Sequence, residues 1–538
     1  MTSFKSGLFG AAAFALSAIA LSPAILSGAA LADTPKDSLV MAWQFDDIVG
    51  LDPAEIFEFS GAEYGAQVYD RLINIDPKDV SKIGGEVAES WTVSPDGKVF
   101  TFKIRDGIKF HSGNPLTAED AAYSLRRAVK LNKGPAFILG QFGLTAENVD
   151  QMVKATDPRT LIFTTEQVYA PTFVLNCLTA GVASVVDSKL VQSKEKDGDF
   201  GSAWLRLNSA GSGPFQLKQW KASELLTLDA NPNYWRGAPG LKRVLIRHIA
   251  EPATQRLLLE KGDVDVARNL KPEQFEPLKA NSAVRLVQAP KGTLWYVGLN
   301  QKNPALAKPE VREAMKYLVD YEGMAKTIMN GQATIHQTFL PDGFLGALND
   351  TPYRYDPTKA KELLAKAGYP NGFTVTLDMR NTTPTQDMAQ AIQASAAAGG
   401  VKIEIIPGDG KQVLTKYRAR SHDMIIYQWG ADYQDPHTNA ETFAANPDNS
   451  DGAKSKPLTW RNAWDIPELT KKTNAAVVES DGAKRAAIYQ DLQRSVLAES
   501  PFVIMFQQIE VVAERANLTG MVWGPSFDSN VYWKAVKK

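Results

Sequence analysis

Five histidines, one cysteine and a few close carboxylate pairs are the residues of this chain best suited to chemistry. The histidines are His111, His248, His336, His422 and His437. None belongs to an H-E-x-x-H run or another compact ligand set, so neither a metal nor a cofactor is expected. Cys177 sits in the apolar run Phe173-Val174-Leu175-Asn176-Cys177-Leu178 with no base nearby in sequence. It reads as a buried small hydrophobe, and a single thiol cannot form an internal disulfide. Asp46/Asp47 and Asp263/Asp265 are carboxylate pairs, but sequence spacing alone does not set two carboxylates across a glycosidic bond. The chain has no G-x-S-x-G, no phosphate-binding P-loop and no G-x-G-x-x-G at a strand-to-helix turn. The expectation is a protein that binds without catalysing.

The elements that would position a binding site must form more than one core. A chain of 538 residues is long enough for two or three domains. Its 59 basic and 60 acidic residues leave a net charge of −1. That balance gives no electrostatic footprint for nucleic acid or for an anionic membrane. At the amino end, Lys5 precedes the apolar run from Leu8 to Leu21, and Ala30-Leu31-Ala32 supplies small residues for signal peptidase. The run is too short to span a bilayer, which takes roughly 20 residues. Residues 1–32 are therefore expected to be a signal peptide cleaved after Ala32. No cysteine marks the cleavage site for lipid attachment, so no stable membrane anchor is expected. An exported chain with one cysteine suits a bacterial periplasm.

Strand and helix signals alternate along the rest. Val99-Phe100-Thr101-Phe102-Lys103-Ile104 follows the turn Ser94-Pro95-Asp96-Gly97. Thr117 and Asp120 make a variant capping box for a helix through Val129. Strands are expected at Leu225 to Leu228 and Val244 to Ile249, and a helix from Ala253 to Lys261 with Leu257 and Leu258 on its apolar face. Near residue 295 the pattern restarts with the strand Leu294 to Asn300 and a helix opened by Pro309. A helix from Asp356-Pro357, a strand Phe373 to Leu377, a helix Gln386 to Ala398, and strands Val401 to Ile406 and Asp423 to Tyr427 come next. Such a βαβ-like run predicts a second α/β lobe.

Taken in order, seven segments resemble the family 5 extracellular solute-binding proteins. They include Ala88-Glu89-Ser90-Trp91 through Phe110-His111-Ser112-Gly113, then Gly211-Ser212-Gly213-Pro214-Phe215, Asn231-Pro232-Asn233-Tyr234-Trp235 and Lys261-Gly262-Asp263-Val264-Asp265. Leu299-Asn300, Pro309 to Ala314 and Trp429-Gly430-Ala431-Asp432-Tyr433-Gln434-Asp435-Pro436 complete the set. Ile104 departs from the leucine of the family pattern. The resemblance covers nearly all of residues 38–538.

That resemblance implies an α/β, two-lobed periplasmic-binding-protein clamp of the type II, cluster C-like kind, with an extra subdomain in lobe 1 and a hinge between lobes. Lobe 1 would hold residues 33–293, lobe 2 residues 294–504, and residues 505–538 would return to lobe 1. It implies a monomer that captures a small solute, a di- or oligopeptide foremost, and delivers it to the permease of an ABC importer with its ATPase. A nickel chelate, a sugar or an opine-like conjugate is the alternative ligand, and a periplasmic hydrolase the alternative class. In the peptide-binding relatives, an aspartate at the position of Asp432 pairs with the ligand's α-amino group. A buried ammonium needs such a carboxylate to replace its water. Trp429 and Tyr433 flank Asp432 and would wall the cleft, with Tyr427 behind them. Arg380 lies where dipeptide-binding relatives place an arginine for the ligand carboxylate. Glu58, Phe59 and Ser60 fall in an early loop that lines the cleft in relatives. His111 and Asp263/Asp265 belong to turns of the family pattern and read as structural.

Overall fold

The computed structural model describes residues 33–538. The expected signal peptide over residues 1–32, with its cleavage after Ala32, lies outside the described residues. One sheet of eleven strands runs through the molecule. Its order is Val401–Gly408, Phe373–Arg380, Met424–Gly430, Val284–Leu299, Phe502–Arg515, Val266–Ala267, Ser38–Trp43, Arg243–His248, Leu225–Ala230 and Phe215–Lys221. The short strand Ala333–Ile335 pairs beside Phe502–Arg515.

The two long strands at the middle join the two halves of this sheet. Val284 to Pro290 pair antiparallel with Arg515 to Ile509, and Leu294 to Gly298 pair with Gln507 to Phe502. Between Pro290 and Leu294 the register shifts. There Gly292 instead donates its N–H to the Pro525 carbonyl (2.9 Å), and Gln507 donates to the Lys291 carbonyl (3.0 Å). On one side lies the parallel group of Phe373–Arg380 with its two neighbours, and on the other Ser38–Trp43 with its parallel neighbours. The apolar cores are separate. Val297, Leu377 and Ile426 share one, and Leu39, Met41 and Phe215 share another. A further core forms around the four-stranded sheet of Ala88–Val93, Val99–Ile104, Thr160–Thr164 and Val153–Asp157.

Local sequence explains most elements. The helix Ala118–Leu131 starts at Thr117, whose N–H donates to the Asp120 carboxylate (2.8 Å), closing the expected capping box. Pro252–Lys261 stops at Gly262, which takes φ of 82°, a conformation glycine adopts without a Cβ penalty. Its buried face corrects the sequence reading. Leu257 is 49% exposed, while Gln255 and Leu259, one turn apart, are buried. The Gln255 side chain is needed there, because its oxygen accepts from the N–H groups of Arg268 and Asn269 (3.1 Å each).

Two of the motifs converge on one buried acid. Asp70 follows the helix Phe59–Val68 and accepts hydrogen bonds from Ser212 (2.7 Å), Tyr234 (3.0 Å) and the Trp235 indole (3.3 Å). Gly211 and Gly213 let that loop approach the end of the helix, since a Cβ on Gly211 would run into the Val68 carbonyl. Burial and the nearby Glu86 carboxylate push the Asp70 pKa up to about 6. His111 fits the same region through its Nε2 and the Gly213 carbonyl (3.0 Å). Asp265 is structural too. It accepts from the Val40 N–H and pairs with Lys537 (2.7 Å each). Cys177 is fully buried.

Candidate functional site

A cavity of about 270 Å³ opens where the sheet crosses from one half to the other. Four segments distant in sequence build it: the loop into helix Phe59–Val68, the turn at 179–184, the end of strand Met424–Gly430, and the turn at 525–528. Gly292 and Thr293, at the register shift, complete the wall. The volume is close to the lower bound of roughly 300 Å³ usual for small-molecule pockets.

Asp432 lies on this wall, two residues past the end of strand Met424–Gly430. Its backbone N–H donates to Thr438 Oγ1 (3.1 Å), which fixes the loop against the following helix Pro436–Ala444. The carboxylate is half-buried and forms no ion pair among the described residues. Burial raises its pKa to about 7, with a contribution from the Glu441 carboxylate; the Thr438 hydroxyl and the Arg461 charge offset part of this. An acid held this way is poised to accept a cation.

Asp435, three residues on, has the opposite role. Its carboxylate receives two hydrogen bonds from Arg485 (2.8 and 2.7 Å), with both side chains 1% exposed. It also caps the helix Pro436–Ala444 by accepting from the His437 N–H (3.0 Å). Arg485 further donates to the Ala476 carbonyl (2.9 Å) and the Tyr489 hydroxyl (3.0 Å). The sequence reading missed Arg485. The signal for it was a cation on the same helical stripe as Tyr489, Leu492 and Val496, all buried.

Aromatic residues supply the rest of the wall. Phe59, 45% exposed, stacks on Phe527 with centroids 4.7 Å apart. Gly430 makes room for it, since a Cβ there would lie 3.1 Å from the Phe59 ring. The Trp429 indole donates to Asn439 (3.3 Å), and its ring meets Phe443 edge-on. Tyr433 lines the cavity but is only 5% exposed. Its ring packs toward Phe173 (6.1 Å), and its hydroxyl donates to Gln141 (3.4 Å). Tyr433 therefore joins the core of the four-stranded-sheet region, beside Val477.

The structure thus brings Asp432, Trp429, Tyr433 and Phe59 onto one cavity, with Glu58 beside them. Ser60 is buried with its N–H on the Asp47 carboxylate (3.1 Å), away from the wall. Tyr427 and Arg380 do not line the cavity. Tyr427 lies two residues before Trp429 on the same strand and packs on Tyr417 (6.1 Å). Arg380 ends its strand exposed, with its guanidinium over Gly410. The sequence reading also missed Arg71, Phe57, Phe527 and Asp528, which come from loops that only the fold brings together.

Among the described residues, no group of three or more His, Cys, Asp or Glu side chains is placed to hold a metal ion. His437 is buried edge-on to Phe173 (5.1 Å), and burial lowers its pKa to about 4. Among the described residues no helix is long and apolar enough to cross a membrane.

Comparison with known proteins gives this geometry a context. The family model described as bacterial extracellular solute-binding proteins, family 5 Middle, matches residues 82–451. The chain is 29% identical over 504 residues to the probable D,D-dipeptide-binding periplasmic protein DdpA of Escherichia coli (strain K12), covering 93% of this chain and 94% of the relative. Among solved structures, it is similar to the periplasmic binding protein DppA from Helicobacter pylori in complex with the peptide STSA. The TM-score is 0.77 at 25% identity, over 93% of this chain and 98% of that one. It has the same fold as MoaA from A. tumefacien R10 in complex with mannopinic acid (TM-score 0.79, 23% identity, 94% of this chain and 100% of that one).

Proposed function

Since this chain belongs to the bacterial extracellular solute-binding proteins, family 5, we propose that it is the periplasmic receptor of an ABC importer, with a short peptide as its ligand. The observation that carries the peptide reading is the unpaired carboxylate of Asp432 on the cavity wall. Asp432 takes the α-ammonium of the ligand, and Trp429, Phe59 and Tyr433 enclose the rest of the peptide. Residues 33–293 with 505–538 form one lobe and residues 294–504 the other. The pairing gap between Pro290 and Leu294 supports a hinge at their junction. A ligand drives closure only by binding the closed form more tightly than the open one. The closed, loaded form docks on a permease with its ATPase, after export directed by residues 1–32. The names of DdpA and DppA support this reading.

Native mass spectrometry of the purified protein, then calorimetric titration with dipeptides, tests it. Stoichiometric binding without turnover is expected. Turnover of peptide or glycan substrates would replace the receptor by a hydrolase, and binding of opine-like conjugates alone would replace the peptide.

Binding is expected to depend on pH in a stated direction. The free protein holds a proton on Asp432 below about 7, and the ammonium needs the carboxylate. Affinity is therefore fully present above that pKa and lost as pH falls through it. The ligand's own amine, with an ordinary pKa near 7.7–8, limits the alkaline side. His437, lowered to about 4, stays neutral through this window. Together these give an affinity about 50-fold weaker at pH 5 than at pH 7.5. A flat calorimetric profile across that range would remove Asp432 from the role.

A further inference from the structure

The cavity wall carries four charged side chains: Glu58, Arg71, Asp432 and Asp528. Two features of it could receive an anion, and the chain's own carboxylates stand at both. The first is Arg71. Its guanidinium donates to the Asp528 carboxylate (3.0 Å), the Asp528 carbonyl (3.1 Å) and the Thr179 carbonyl, and it is buried. The second is the amino end of helix Phe59–Val68, where free N–H groups and the helix dipole attract negative charge. There the Asp47 carboxylate accepts from the Ser60 N–H (3.1 Å), and the Glu58 carboxylate stands beside the helix end, accepting from the N–H of Phe57 just before it (3.2 Å). Arg461, whose charge reaches Asp432, lies over the Tyr417 ring (5.3 Å) and is not on the wall.

Two carboxylates of the wall, Asp432 and Glu58, have no ion-pair partner among the described residues. With Asp432 taken by the ligand's ammonium, a ligand carboxylate placed here meets no free cation among those residues and the negative charge of Glu58. Desolvating it uncompensated is costly, and like charges repel. The same wall is apolar at its mouth. Phe57 and Phe59 line it at 49% and 45% exposure, and Phe137, 42% exposed, meets Phe57 edge-on (6.1 Å). Exposed phenylalanines gathered at one rim mark a surface meant to be covered.

We infer that the cavity selects an apolar cation whose carboxyl end is uncharged, such as a hydrophobic peptide amide, over a zwitterionic peptide of the same side chains. This inference rests on the amine role of Asp432. It adds that the phenyl rim holds the apolar side chains, and that Glu58 repels a free carboxylate.

Calorimetry at pH 7 with Phe-Leu amide, Phe-Leu and N-acetyl-Phe-Leu amide tests it. The amide is expected to bind at least fivefold more tightly than the free acid, and the acetylated form not at all. In Glu58→Gln the preference for the amide is expected to shrink, because a negative charge has been removed from the wall without loss of shape. An amide preference below fivefold, with the free acid still binding, overturns the inference and leaves the peptide reading standing. An unchanged preference in Glu58→Gln overturns the role of Glu58. Failure of all three probes to bind overturns the peptide reading and this inference with it.

Discussion

Asp432→Asn is expected to weaken binding of an unblocked dipeptide by about 100-fold or more and, at pH 8, to raise the melting temperature of the empty protein. The two effects have one cause. Burial and Glu441 hold the carboxylate at a pKa of about 7, above its ordinary 3.8. The charged form is therefore disfavoured in the folded, empty protein. The sign follows from linkage. A folded-state pKa raised for an acid costs stability that is absent below 3.8, grows as pH rises, and is complete above about 7. Asparagine cannot ionise, so it removes the cost at pH 8 and gains nothing at pH 4. A rise of about 1–3 °C is expected for a chain of this size. In the complex, the same substitution leaves the ligand's ammonium without its counter-charge. Truncating one partner of a buried charge pair typically costs about 2–5 kcal/mol, and about 2.7 kcal/mol is 100-fold. Titration calorimetry reads the affinity, and scanning calorimetry at the two pH values reads the stability. Unchanged affinity would sink the ammonium assignment, and an equal shift in melting temperature at pH 4 and pH 8 would sink the electrostatic one.

The largest stability effect is expected from Arg485→Met. Methionine keeps the apolar stem but leaves Asp435 buried without its two hydrogen bonds from the guanidinium. It also removes the donors to the Ala476 carbonyl and the Tyr489 hydroxyl. Breaking a buried pair from one side costs about 3–5 kcal/mol, whereas replacing both partners by well-packed groups can be nearly neutral. Guanidinium denaturation should show that loss for Arg485→Met, and Arg485→Met/Asp435→Asn should recover a large part of it. A loss under about 1 kcal/mol in the single variant would show that the pair is not held as the geometry implies. Peptide affinity should fall as well. Asp435 caps the helix whose Thr438 hydroxyl fixes the Asp432 backbone, so disturbing the pair loosens the loop that presents Asp432.

Periodicity and capping made much of the fold legible in the sequence. Thr117 with Asp120, Gly262, Pro309 and Asp356 mark helix ends where the structure has them, because those signals act within one turn of chain. The strand opening at Leu294 in the sequence reading begins at Val284 in the structure. Pro290 and Gly292 look like loop punctuation, and only the partner strand from Arg515 shows that the segment is paired on both sides of them. Leu257 and Leu259 differ in burial for a similar reason. Helical spacing offers several apolar stripes, and the packing surface chooses one.

At the site, Asp432, Trp429 and Tyr433 were legible because they share one short motif. Tyr427 and Arg380 lie off the cavity wall, a placement set by strand register and by the turn at 408–410, which no local sequence signal reveals. Phe527 and Asp528 lie far along the chain from Phe59 and Arg71, and no local signal announces that they meet.

The order of strands in the sheet has a consequence for how the molecule is made. Phe502–Arg515 sits at the centre, between Val284–Leu299 and Val266–Ala267, yet it is synthesised after every other strand of that sheet. Until it arrives, the neighbours on both sides present open edges, and the two halves share no backbone hydrogen bonds through it. Contacts of such long sequence separation form slowly. The central seam of the sheet therefore cannot close until the last of its strands is made. The same delay leaves two unpaired edges exposed to other chains, so overproduction is where aggregation of this protein should begin.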